Sequence, residues 1–391
     1  MIAEHLNRIL PILNDYLLIQ KTGISDQRGK SDYTQIQLRI IRLLGRLGGK
    51  NISLIADASK NQVAVSWDSI KRLKLAVPLQ DLRVELELDN LLPRALDLAM
   101  NSSDRQTKVA ACEFIHSVVL FMLGNRRTNK TNKDSYKQIY KHLFPGLLKL
   151  ATDVDLATRQ LFEPLLFQLI HWFSRNSFAK NSNTADQSGQ QDDQNTETTY
   201  LLDSIVDQLG TSSDGALREF CSKCLAEFLK YSIKQSSTKQ QEKNPVHVRN
   251  FLKRLYGLAR HPNPYKRLGA ATTLLEILPI FREEQALIDQ FVLEMMHTVI
   301  FSLRLCKQDE QSFGTLEKLH DFIRKLSKVI MLKSDLLNAN SKTGNRKEHT
   351  NLDDFVSWLF TETGRQEGSS RSVCIHLFRE LVQYLPSVKS A

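Results

Sequence analysis

Residues 155–173 read DLATRQLFEPLLFQLIHWF, and the spacing of apolar residues in this stretch decides the fold. Leu161, Phe162, Leu165, Leu166, Leu169, Ile170 and Phe173 fall at helical intervals and make one broad apolar stripe. Asp155 stands just ahead of the stripe, where a short carboxylate caps free helix N–H groups, and Arg159 follows one turn later. The same layout recurs on both sides. Ser103 to Leu123 places Ser103 and Asp104 before a stripe of Val109, Cys112, Phe114, Ile115, Val118, Val119 and Met122. Asp214 to Tyr231 has Arg218 in the position of Arg159, and Asn263 to Leu278 has Lys266 and Arg267 followed by the small residues Gly269, Ala270 and Ala271. Gln35 to Gly45 and Ser370 to Leu385 are further helical runs.

Lys108, Arg159, Arg218 and Arg267 thus recur about every fifty residues, a little above the roughly 40–47 of a regular HEAT unit. A cap, a basic residue one turn in, small residues and Leu-rich periodicity describe the second helix of such a unit. One helix pair cannot hide its apolar face, so neighbours stack and bury a continuous core. The pattern predicts an all-α fold, a HEAT-like α-solenoid of stacked antiparallel helix pairs. Each recurring basic residue is expected to pair with an acid on an adjacent repeat or to stay solvated, with ligand contact as the other reading.

Composition agrees. The 391 residues include only 16 Gly and 10 Pro, too few for the tight turns of a sandwich or barrel. Hydrophobic residues make up 41% and charged residues 25%, as in ordinary folded chains. Five cysteines, Cys112, Cys221, Cys224, Cys306 and Cys374, lie mostly in apolar runs and read as reduced thiols inside a cell. The first residues lack a signal-peptide pattern, and no apolar run approaches the roughly 18–20 residues that span a bilayer, so no membrane partner is expected.

Polar stretches separate the helices. Residues 175–199 are nearly free of apolar side chains and are expected to be a disordered loop; residues 337–351 are a weaker case. Neither divides the chain, so residues 1–391 are read as one continuous array. Over 52–89, Val63–Trp67 and Val84–Leu88 alternate like strands but are short, and irregular loop is expected there instead of a sheet.

Catalytic signatures fail on inspection. Gly45 to Lys50 has one residue too few for a phosphate-binding loop, lacks the Ser/Thr that holds Mg²⁺, and reads as a helix C-cap. Cys221 and Cys224 form a lone CxxC with no second ligand pair for zinc. No His, Ser or Cys joins a carboxylate in a local catalytic pattern, and Asp353-Asp354-Phe355 is followed by Val where a kinase metal site needs Gly. No catalytic, cofactor or metal residue is assigned.

The formal charge is +10. Lys253-Arg254, Arg260-His261 and Lys266-Arg267 flank the turn HPNP with Tyr256 and Tyr265 interleaved. Arg126, Arg127, Lys130, Lys133, Lys137 and Lys141 form a second group. Such clusters either meet phosphate or are solvated helix ends. Lys253, Arg254, Lys266 and Arg267 are the DNA-contact candidates.

Long strings carry a resemblance: QLRIIRLLGRLGG (37–49), SSDRQTKVAACEFIHSVVLFMLG (102–124), DVDLATRQLFEPLLFQLIHWF (153–173), LREFCSKCLAEFLKYSIKQ (217–235), QQEKNPVHVRNFLKRLYGLARHPNPYKRLGA (240–270) and FREEQALIDQFV (281–292). In this order they resemble the N-terminal helical-repeat region of the DNA-dependent protein kinase catalytic subunit family, with looser likeness over the first 36 and last hundred residues. The resemblance implies a nuclear serine/threonine kinase polypeptide that acts with the Ku heterodimer at DNA ends in non-homologous end joining. Other repair proteins are further expected partners. The kinase motifs of the family are absent from these residues, so no catalytic residue carries over. Met1 at a mid-solenoid position of the family implies a fragment, an incomplete gene model or a truncated relative. The expected role is a scaffold segment of that kinase. A freestanding HEAT-repeat adaptor for proteins alone is the alternative, and an enzyme with an unrecognised site a more distant one.

Overall fold

The computed structural model describes residues 74–79, 82–87, 91–128, 137–182, 196–210, 214–235, 247–306, 314–339, 351–364 and 368–385, with isolated positions 39 and 388. A short hairpin comes first, with β1 at Lys74–Leu79 paired antiparallel to β2 at Leu82–Glu87. Then come α1 (Leu91–Asn101), α2 (Arg105–Thr128), α3 (Lys137–Leu150), α4 (Leu156–Ser182), α5 (Thr196–Leu209) and α6 (Gly215–Gln235). They are followed by α7 (Val248–Ala259), α8 (Pro264–Glu283), α9 (Gln285–Leu305), α10 (Thr315–Leu332), α11 (Ser334–Ala339), α12 (Leu352–Thr363) and α13 (Gly368–Leu381), with a 3₁₀ turn at Val382–Tyr384.

The hairpin corrects the expectation of irregular loop over part of 52–89. Its register sets Leu75 opposite Leu86, Val77 opposite Val84 and Leu79 opposite Leu82, alternating with polar or mixed pairs. That is the period-2 pattern of a strand pair, and Pro78 is tolerated because both strands of a two-stranded sheet are edges. Val63–Trp67, the helical run at 35–45 apart from Arg39, and Gly45 to Lys50 lie outside the described residues. The polar stretches prove narrower than expected. Helix α4 continues to Ser182 and α5 begins at Thr196, while α11 includes residues 337–339.

The chain forms two compact units, residues 1–173 with 189–204, and residues 174–188 with 205–391. In the first unit, α1 packs on α2 and α3. Asp104 caps α2 through the N–H of Thr107 at 2.8 Å, and Asp155 caps α4 through the N–H of Thr158 at 3.0 Å. Each such cap contributes about 1 kcal/mol. Three contacts tie α2 to the start of α4: Arg105 Nε to Asp155 at 3.2 Å, Lys108 Nζ to Asp153 at 2.6 Å, and the Cys112 thiol beside the Thr158 hydroxyl at 3.8 Å. Arg105 and Lys108 meet residues just ahead of α4 and Cys112, further along α2, meets Thr158 inside it, so α2 and α4 run parallel. That is how equivalent helices of successive repeats stack. Tyr140 and Phe144 of α3 close on Phe173 of α4, with ring centroids 5.3 and 6.0 Å apart.

The second unit repeats the scheme. Asp214 caps α6 through the N–H of Leu217 at 3.0 Å, and α8 packs between α6 and α10. The Thr273 hydroxyl of α8 donates to that of Ser222 in α6 at 3.1 Å. Gly269 lies where a Cβ would come within 2.7 Å of the Leu209 carbonyl oxygen, which explains the small residue at this point in the repeat. On the other layer Arg249 lies over Phe291 and Arg260 over Phe301, so α7 and α9 are also parallel with a nearly constant offset. His297 packs against Trp358 with tilted rings and Arg304 binds Glu362, which extends the parallel arrangement from α9 to α12.

Pro145, Pro164 and Pro279 all stand inside helices that continue past them. The 21-residue α9 is long and apolar enough, by length and composition, to cross a membrane, which corrects the reading that no such run exists. Its apolar side chains Ile288, Val292, Met295, Met296 and Val299 are buried within the second unit, so it is the core helix of a stack.

Candidate nucleic-acid interface

Between His247 and Arg282 the chain carries Arg249, Lys253, Arg254, Arg260, Lys266, Arg267 and Arg282 against a single acid, Glu276. Helix α7 buries Val248, Phe251, Leu252, Leu255 and Tyr256. Its opposite face therefore presents Arg249, Lys253 and Arg260 to solvent, with Arg254 half-buried beside them. The spacing 249, 253, 260 is a polar face at i, i+4 and i+11, close to three full turns.

The HPNP turn that follows is built from its own side chains. His261 Nδ1 accepts the N–H of Asn263 at 3.0 Å, and Asn263 Oδ1 accepts the N–H of Tyr265 at 2.9 Å, so α8 starts on an asparagine cap with Pro264 in its first turn. Arg267 reaches back and donates through one terminal nitrogen to the carbonyls of His261 at 2.6 Å and Pro262 at 2.7 Å. Its side chain is 1% exposed. Lys266 lays its aliphatic stem against Gly210 and brings Nζ to 3.4 Å from His261 Nε2. Burial first, then the charges of Lys266 and Arg267, lowers the pKa of His261 and keeps its ring neutral, as its acceptor role at Nδ1 requires.

Of the four DNA-contact candidates, Lys253, Arg254 and Lys266 keep surface. Arg267 does not, and its assignment is corrected. A guanidinium sealed in the core with its charge directed at two turn carbonyls cannot also reach a phosphate. Tyr256 is likewise a core residue; burial, with a smaller contribution from Glu294, raises its phenol well above the usual range. Of the recurring basic residues, Lys108 makes the expected ion pair to a neighbouring turn, Arg267 braces its own turn, Arg218 is buried and Arg159 is exposed. Of the second basic group, Arg126 and Arg127 belong to the end of α2, Lys137 and Lys141 to α3 with Lys141 exposed, and Lys130 and Lys133 lie outside the described residues.

Sequence reasoning missed the part of the surface that α9 supplies. Arg260 donates to the Thr298 hydroxyl at 3.1 Å and lies 5.7 Å from the centre of the half-buried Phe301 ring. Arg304 approaches the same ring at 5.7 Å and binds Glu362 at 3.3 Å. The helical spacing of Phe301 and Arg304 was legible; their meeting with Arg260, forty residues upstream, was not.

Cys221 and Cys224 are both fully buried, and burial raises the Cys221 thiol far above its usual pKa. Among the described residues no three His, Cys, Asp or Glu side chains are grouped to hold a metal ion.

Known proteins give the surface a context. A family model described as "DNA-dependent protein kinase catalytic subunit, CC1/2" matches residues 134–391, so the likeness continues through the last hundred residues, where the quoted strings are loosest. The DNA-dependent protein kinase catalytic subunit of Mus musculus is 42% identical over 367 residues, 91% of this chain and 8% of that protein. Its counterpart in Gallus gallus is 42% identical over 387 residues, covering 95% and 9%. That of Dictyostelium discoideum is 36% identical over 472 aligned residues, covering 100% and 11%. The chain therefore spans 8 to 11% of the length of these relatives. A family match over residues 134–391, well over half of a chain built from stacked helical repeats, means that the chain belongs to the DNA-dependent protein kinase catalytic subunit family.

Proposed function

We propose that this chain is a non-catalytic, helical-repeat scaffold segment of a DNA-dependent protein kinase polypeptide, serving double-strand break repair by non-homologous end joining in the nucleus. In this role the stacked helices hold a surface in place, and chemistry belongs to other parts of such a polypeptide. DNA ends and the Ku heterodimer are the partners that family membership suggests. Lys253, Arg254 and Lys266 are the proposed phosphate contacts.

The supporting observation is the exposed basic face of α7 and the start of α8, with seven Lys or Arg and one acid between residues 247 and 282. Phosphate contacts release counterions, so binding should weaken linearly on a log–log salt plot, by about 0.9 in slope for each duplex phosphate neutralised. Replacing Lys253, Arg254 and Lys266 with Glu should reduce the slope by about 2–3. A slope equal to that of the unaltered chain rules these residues out. Saturable protein binding with no salt-sensitive DNA binding favours an adaptor for proteins alone.

A further inference from the structure

The face shared by α7 and α9 combines cations with aromatic rings in a way that phosphate binding alone does not require. Arg249 lies 5.8 Å from the centre of Phe291, and eleven residues later Arg260 lies 5.7 Å from the centre of Phe301. At 1.5 Å per residue these two points are about 16 Å apart along α7, the length of two to three nucleotides of an extended strand. Lys253 stands between them, exposed. Phe301 is approached by Arg260 and Arg304 together, and each guanidinium is fixed at its far end, one by the Thr298 hydroxyl and the other by Glu362. Thr298 and Glu362 are themselves buried, so these anchors are rigid. One turn back along α9, His297 meets Trp358 with ring centroids 4.5 Å apart and the planes inclined at 56°.

The Phe301 ring and the Thr298 hydroxyl together hold the planar, exposed Arg260 guanidinium in one orientation. A nucleobase stacks on a guanidinium as it does on an aromatic ring, and in a duplex that stacking face is unavailable. We propose that the Arg260–Phe301–Arg304 unit is a stacking point for an unpaired nucleobase, and that the α7/α9 face tracks single-stranded nucleic acid. The strand lays its phosphates along Arg249 and Lys253 and places a base on Arg260. Glu294, exposed on α9 between the two ring contacts, repels phosphate and confines the backbone to the α7 side. This inference rests on the nucleic-acid reading above and adds to it the form of the ligand and the residues that read it.

The test is fluorescence anisotropy of the purified chain with a labelled twelve-nucleotide oligothymidine and a twelve-base-pair duplex, between 50 and 200 mM salt. Arg260→Lys retains the charge but loses the planar stacking surface, and Phe301→Leu removes the ring beneath it. Each should weaken oligothymidine binding about tenfold with the salt slope and the duplex affinity unchanged. Glu294→Gln should strengthen it. Helical circular dichroism and the melting temperature check that each variant folds; Arg260→Lys is a surface change and serves if Phe301→Leu does not. If both variants bind oligothymidine within twofold of the unaltered chain while charge reversal at Lys253 flattens the slope, the stacking inference fails and the phosphate reading stands. Equal losses on duplex and single strand make Arg260 a charge contact only and also overturn it. If the folded chain binds neither nucleic acid, the phosphate reading fails first and the inference with it.

Discussion

Replacing Arg267 with Met separates a structural role from a ligand contact. The side chain is 1% exposed, and one of its terminal nitrogens serves two carbonyls of the HPNP turn, at 2.6 and 2.7 Å. Methionine retains most of the buried stem but leaves both carbonyls without this donor. An orphaned buried acceptor costs about 1–3 kcal/mol, and these two lie in a turn where water can reach, so the lower half of that range applies to each. The sum is about 2–4 kcal/mol. A cooperative unit of 150–250 residues loses about 2–4 °C of melting temperature per kcal/mol, which gives a fall of roughly 4–16 °C. The assay is thermal unfolding followed by helical circular dichroism, with DNA affinity measured on the same samples well below the transition. Arg267→Lys should restore the melting temperature only in part, because the shorter lysine stem stops short of the position from which one guanidinium nitrogen donates to both carbonyls. A variant that melts within 1 °C of the unaltered chain but loses DNA affinity and salt dependence refutes the reasoning. In that case Arg267 is a ligand contact and its burial a property of the unbound chain alone.

Two further outcomes follow from the packing and the caps. Gly269→Ala should destabilise the second unit by about 1–2 kcal/mol despite alanine's higher helix propensity, because the new Cβ would sit 2.7 Å from the Leu209 carbonyl oxygen and overpacking costs exceed the propensity gain; a variant of equal or higher melting temperature contradicts that contact. The carboxyls of Asp104 and Asp155 are held below the usual aspartate range, chiefly by hydrogen bonds from the side chain and backbone of Thr107 and from the backbone of Thr158. A folded-state pKa below the unfolded one gives stability that is present above about pH 4 and lost as pH falls through the folded pKa. Asp104→Asn with Asp155→Asn should therefore flatten the loss of melting temperature as the pH falls below about 4, and an unchanged pH profile argues against the caps.

The repeat architecture was legible in the sequence because its determinants are local. Asp104, Asp155, Asp214 and Asn263 each cap the helix they precede, and the apolar stripes behind them are buried almost residue for residue. Where local rules point to breaks, packing overrides them. Pro145, Pro164 and Pro279 interrupt no helix, and the polar runs at 175–182 and 196–199 are helical. The hairpin at 74–87 reads as irregular loop in the sequence because the alternation seen at Val84–Leu88 is short and its partner strand contains a proline.

The site divides in the same way. The sequence by itself determined that α7 has one basic face, since that depends only on the identity of residues at 3.6-residue spacing. It could not determine which cations face outward. Arg267 is as basic as Lys253, and only the return of the HPNP turn over its guanidinium removes it from the surface. Nor could it bring Phe301 and Arg304 to Arg260, because that contact exists only when α9 stacks parallel to α7 in register. Helix faces are set by neighbours a few residues apart, whereas the environment of a side chain is set by helices forty to sixty residues away in sequence, and that separation is decided by tertiary packing alone.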